Sequence, residues 1–199
     1  MNRKQVNKQF LKDVKNHKLE IKIDDGVYRH LTFKRPDTSC YRFDIVTFPE
    51  HLVITGDMGD NVFSRIPDMF DFFRGEINPL YWSEKIVAEE PNFNEYRGQK
   101  FDIKTLYNNV KEDIKNQLSG RSNTYINRAY KEVIQELELH EVNSRNWHDI
   151  LSNIEIKGLD FDYCEYDNTI FSYHYLWRCF AITWGIKKYE EMKNNSLQM

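Results

Sequence analysis

The chain has 199 residues and a formal charge of −3, a size that suits one domain with a substantial core and disfavours several. No global positive charge draws it to nucleic acid, and no apolar run approaches the roughly 20 residues that a membrane helix needs. Its three cysteines, Cys40, Cys164 and Cys179, are widely separated and odd in number, which suits a reducing compartment better than a disulfide framework. The N-terminal stretch MNRKQVNKQFLKDVKN lacks the apolar core of a signal peptide, so a cytoplasmic setting is expected.

Residues 2–16 carry Val6, Phe10 and Val14 at helical spacing, with lysines on the remaining faces. Leu19, Ile21 and Ile23 then alternate with charged residues at the period of a half-buried strand, and Asp25-Gly26 is a strong turn dipeptide. Residues 27–33, 41–48, 52–55 and 61–64 continue as strands, about five in all, and links this short imply an antiparallel meander. His30 is expected on the less buried face. Pro67-Asp68 opens a short helix holding Met69, Phe70, Phe72 and Phe73, and Asn78-Pro79 opens another with Tyr81, Trp82, Lys85 and Ile86. Residues 88–100 have the Pro, Gly and polar content of a loop and mark the best boundary.

Beyond it, Ile103, Leu106, Val110 and Ile114 form one helical stripe. Ser122-Asn123-Thr124 can cap a second, built from Ile126, Ala129, Val133 and Leu137, so the two read as a helical hairpin. Residues 144–151 predict a short helix that buries Trp147, and 154–158 a connection or a stray strand. Residues 171–192 are apolar almost all round, which places that helix in the middle of the domain or at a subunit interface in a homodimer. The expected class is therefore α+β: an N-terminal helix and antiparallel sheet with two short helices over 1–88, and a helical region over 101–199 packed on it in one compact domain.

The stretch 51–86 is the hardest to explain as fold alone. Asp57 and Asp60 flank a glycine turn, with Arg65 and Asp68 beyond. Aspartates beside glycines are ordinary turn formers, Asp68 suits a helix cap, and Arg65 suits an ion pair with one of them. The alternative is a site: Asp57, Asp60, Arg65, Asp68, Arg74, Tyr81 and Trp82 could together present an acidic and aromatic patch to a protein partner. No calcium-loop spacing and no HxxxH, HxH or CxxC motif accompanies these carboxylates, so no metal or cofactor is expected. A metal-dependent hydrolase on Asp57, Asp60 and Asp68 with His30 ranks low. So does a nucleotide-sequestering pocket, which would need Arg29 or Arg65 at its mouth. Lys104, Lys111, Lys115 and Arg121 could touch phosphates, but interspersed glutamates and aspartates favour a solvated face over a nucleic-acid surface. Cys179, on an apolar helix, reads as a small core residue.

The segments DDGVYRHLTF (24–33), FDIVTFPEHLVITGDMGDNVFSR (43–65), DMFDFFR (68–74), INPLYWSEKI (77–86) and YLWRCFAITWGIKKYE (175–190) resemble a family of small proteins carried by bacteriophages, prophages and plasmids. The resemblance spans most of the chain and is most specific over 43–86. It implies a mobile genetic element and brings no agreed enzymatic activity. Where that family has Pro-Gly before the fourth strand this chain has Pro49-Glu50, so a different turn is expected there. Cytoplasmic proteins of such elements are often inhibitors of host defence, including anti-CRISPR proteins. The function expected is thus a non-enzymatic binding protein that blocks a bacterial immune effector, with a CRISPR nuclease as one candidate partner. A nucleic-acid-binding accessory protein is the alternative.

Overall fold

The structure, a computed structural model, describes residues 2–90 and 95–196. The protein is α+β and divides into two compact units, one of Met1–Gly98 and Phe171–Met199, the other of Gln99–Ile170. No described helix is long and apolar enough to cross a membrane.

The first unit is built on a six-stranded antiparallel sheet in which every strand pairs with its neighbour in sequence: β1 (Lys18–Asp25), β2 (Tyr28–Arg35), β3 (Thr38–Phe48), β4 (His51–Gly56), β5 (Asn61–Ser64) and β6 (Ile86–Glu89). The sixth strand corrects the expectation that residue 86 closes a helix and that a loop begins at 88. The helix ends at Ser83, and the following residues pair with β5 through Val62 and Ala88. Residues 91–94 of the expected loop lie outside the described residues. Short strands β7 (Glu95–Tyr96), β8 (Gln99–Phe101) and β9 (Thr169–Phe171) fall where the chain passes from one unit to the other.

One face of the large sheet is the core face. Leu31, Phe33, Phe43, Ile45, Leu52, Ile54, Phe63 and Ile86 point into it and are buried. Four helices supply the other half of that core: α1 (Arg3–Asp13), α2 (Met69–Phe73), α3 (Pro79–Ser83) and α7 (Tyr173–Ser196). The N-terminus of α1 is fixed by a capping box, in which the Asn2 side chain accepts from the Gln5 amide and the Gln5 side chain accepts from the Asn2 amide. Val6, Phe10 and Val14 are buried as their spacing predicts.

The final helix α7 belongs to this first unit, not to the helical region with which 101–199 was grouped. Every residue from 175 to 182 is buried, because sheet, α1 and α2 meet different sides of the helix. Trp177 sits edge-on to Phe10 and Phe43, and Trp184 edge-on to Phe33. Gly185 permits this approach: a Cβ there would stand 2.7 Å from Ile45 Cδ1. Polar groups complete the seal. The Trp177 indole donates to buried Asp13 at 3.0 Å, and Gln9 donates to the other Asp13 oxygen at 2.7 Å. Toward the helix C-terminus, Tyr189 and Lys193 both donate to Asp24 of β1, at 2.6 and 2.7 Å.

The second unit is helical. Its α4 (Ile103–Gln117) and α5 (Asn123–Glu138) form the expected hairpin, capped by Asp102 and Ser122, and α6 (Trp147–Ser152) follows. Leu106, Val110, Ile114, Val133, Leu137, Leu151 and Phe161 make its core. Leu151 is the buried residue of α6. Trp147 is half-buried, less than expected, packed against this core with its ring stacked on Tyr166, 5.6 Å between centroids.

Candidate interaction surface

The glycine turn at 56–60 is held from inside. Gly56 has φ +149, and a Cβ there would fall 2.2 Å from the Arg42 carbonyl oxygen, so only glycine fits. The Asp57 amide donates to that same carbonyl at 3.0 Å, and the Asp57 carboxylate accepts from the Tyr41 amide at 2.8 Å. Tyr41 itself sits at φ +59. The Asp60 carboxylate accepts from the Gly56 amide at 3.2 Å. Both aspartates are therefore engaged in shaping the turn.

Beneath the turn lies a residue that sequence reading missed. Arg178 of α7, 6% exposed, donates through Nη1 to the Met58 carbonyl and through Nε to Asn61 Oδ1, each at 2.6 Å. Burial lowers its pKa, against the opposing pull of nearby groups that include Glu95, Glu89 and Asp60. An arginine inside an otherwise apolar helix was the one signal available, since such a charge needs an interior partner.

The remaining residues of the sequence-derived patch have separate fates. Asp68 caps α2 through the Phe70 amide at 2.9 Å and takes both Nη groups of Arg29, at 3.0 and 2.8 Å. Its ion-pair partner is thus Arg29, whereas Arg65 is exposed and forms no ion pair among the described residues. Arg29 also lies over the Phe70 ring at 4.4 Å, with its side chain only 11% exposed. Arg74 pairs with Glu190 at 2.6 Å and with Asp71. Trp82, expected at a partner surface, is instead a core residue. It is 2% exposed and set edge-on to Phe73, because α3 turns that side inward. Tyr81, on the outer side of the same helix, is 39% exposed, with Lys85 Nζ 4.5 Å from its ring and Leu80 more exposed still.

Among the described residues no three His, Cys, Asp or Glu side chains gather to hold a metal ion. In the helical unit Lys104, Lys111, Lys115 and Arg121 are exposed. Lys115 pairs with Glu112 at 2.5 Å, while Lys111 and Arg121 lie over Tyr130 and Tyr125. Cys179 is fully buried, and burial pushes its thiol up to about 12.

The face of the six-stranded sheet opposite the core offers more. Pairing places Val46 beside Val53 and Val53 beside Val62, an apolar row across three strands. All three valines are half-buried and belong to neither apolar core. At one end Phe48 stacks on His51 at 4.7 Å, and Phe48, Tyr28 and Ile23 are 39%, 52% and 52% exposed. At the other end is a polar cluster centred on Asp44, itself 5% exposed. Its Oδ1 accepts from the Thr32 hydroxyl and from His30 Nε2 at 3.2 Å, and its Oδ2 from Arg42 at 2.7 Å. His30 thus lies on the less buried face, as expected, but as a partner of Asp44. The four helices that close the core of this unit all draw on the opposite face, which leaves the valine row half-open. An apolar centre bounded by polar groups is the usual anatomy of a protein-binding surface.

Compared with protein-family models, curated proteins and solved structures, the chain shows no match.

Proposed function

We propose that the protein acts by binding another protein through the half-open sheet face, and that the partner is an effector of bacterial immunity, with a CRISPR nuclease as one candidate. The observation that carries the binding reading is the Val46–Val53–Val62 row, which is apolar, contiguous across strands and outside both cores. A contiguous, half-open apolar row with exposed apolar neighbours is characteristic of interaction sites, and Phe48, Tyr28 and Ile23 are those exposed neighbours, large side chains of the kind that binding hot spots use. The choice of partner rests on the resemblance of segments 24–33, 43–86 and 175–190 to proteins of mobile genetic elements.

The reading is tested in bacteria with active CRISPR immunity, by plating a targeted phage on cells that express the wild-type protein or the Val46→Lys/Val53→Lys double variant. Wild type is expected to restore plaques and the variant to fail while melting within a few degrees of wild type, since both changed positions lie on the half-open face and outside both cores. Restoration by the variant at the wild-type level would remove the sheet face from the proposal. Failure of the wild-type protein against nucleases of every major CRISPR class would remove the CRISPR nuclease as the partner.

A further inference from the structure

The helical unit contains a groove of about 540 Å³ that the reading above leaves unused. It lies along α5, α6 and the residues that follow α6. Its walls bear Glu132 and Glu136, one helical turn apart on α5, together with Asp149 on α6 and Glu155. All four carboxylates are exposed, while Ile150 and Ile154 are half-buried between them. No lysine or arginine lines the groove. Glu132 has Arg128 at 3.6 Å, whereas Glu136, Asp149 and Glu155 form no ion pair among the described residues.

We propose that this groove docks a basic amphipathic segment of a partner protein. Three features support that occupant together. The first is a negative rim on which Glu136, Asp149 and Glu155 carry no ion-pair partner among the described residues. The second is an isoleucine floor, on which the aliphatic stems of lysine or arginine can lie while their charged heads reach the carboxylates. The third is volume, which falls in the range of about 300–1,000 Å³ typical of ligand clefts. The site is independent of the sheet face and does not rest on the partner proposed for it.

The test is fluorescence anisotropy of the full chain with a labelled peptide, LKKLLKKLLKKL, in low salt. Binding is expected to weaken about tenfold or more in the Glu136→Gln/Glu155→Gln variant and to fall with added salt. The Glu112→Gln/Glu165→Gln variant removes the same charge elsewhere on the unit and should bind like wild type, as should Val46→Lys/Val53→Lys. No peptide binding by wild type, or equal binding by both glutamine variants, would overturn the proposal. So would displacement of the peptide by spermine at equimolar concentration, which would make the groove a site for small polyamines.

Discussion

Arg29 grips Asp68 with both ends of its guanidinium, Nη1 on Oδ1 at 3.0 Å and Nη2 on Oδ2 at 2.8 Å, while its flat face rests on Phe70. One carboxylate thus caps α2 and ties that helix to β2. Burial by itself would raise the Asp68 pKa, but the Arg29 hydrogen bonds, the Phe70 amide and the charges of Arg29 and Arg74 outweigh it and hold the pKa below the usual carboxylate range. A depressed folded pKa stabilises the fold above the unfolded value, about 3.9 for aspartate, and that stability is lost as pH falls through the folded value. Asp68→Asn should therefore cost roughly 2 kcal/mol at neutral pH. The gap between variant and wild type should close as urea titrations are carried down to about pH 2. A gap independent of pH would mean that the charge of the carboxylate does not do the stabilising, since asparagine keeps a cap acceptor.

Asp57 accepts from the amide of Tyr41, a residue held at φ +59. Asp57→Ala removes the acceptor and should lower stability by about 1 kcal/mol, with Asp57→Asn, which keeps an acceptor oxygen, losing less. Thermal melts of the two variants distinguish this turn-forming role from a purely external one, for which both would melt like wild type.

The buried bond from Trp177 to Asp13 links α7 to α1. With Asp13→Ala the indole N–H and the Gln9 amide both lose their acceptor, at an expected cost of about 2–3 kcal/mol. Tryptophan fluorescence during denaturation reads the loss directly. An unchanged midpoint would show that water reaches the indole.

Cysteine reactivity should follow burial. Cys40 is exposed, Cys164 is half-buried with its thiol pKa raised by burial, and Cys179 is buried with its thiol pushed up to about 12. A disulfide reagent at neutral pH should label Cys40 within seconds to minutes, Cys164 more slowly, and Cys179 only on unfolding. Rapid labelling of all three in the native protein would contradict the packing of α7.

The turn at Pro49-Glu50 shows how local signals and final geometry differ. Glu50 carries a Cβ, yet it adopts φ +67, the region that glycine favours. Phe48 still pairs with His51, and the Glu50 amide donates to the Pro67 carbonyl at 3.1 Å. The surrounding hydrogen bonds hold a conformation that the side chain disfavours.

By itself the sequence determined the α+β class, the antiparallel sense of the first five strands, the helix starts at Asp68 and Asn78 and near Ser122, and the apolar character of the last helix. Each depends on residues a few positions apart, through alternation, helical periodicity or a cap that reaches its own first turn. Only the tertiary structure decided the rest. Residues 86–89 are too short a run for periodicity to separate strand from helix end, and pairing with β5 settled them. Whether Tyr81 or Trp82 faced the core was decided by where α3 settled on Phe73. The partners of Asp68 and Asn61 stand 39 and 117 residues away, and the exposure of the valine row was set by which face of the sheet the helices cover. Such pairings arise from the free energy of the packed whole, in which a charge or an apolar surface takes whatever neighbour the fold brings to it.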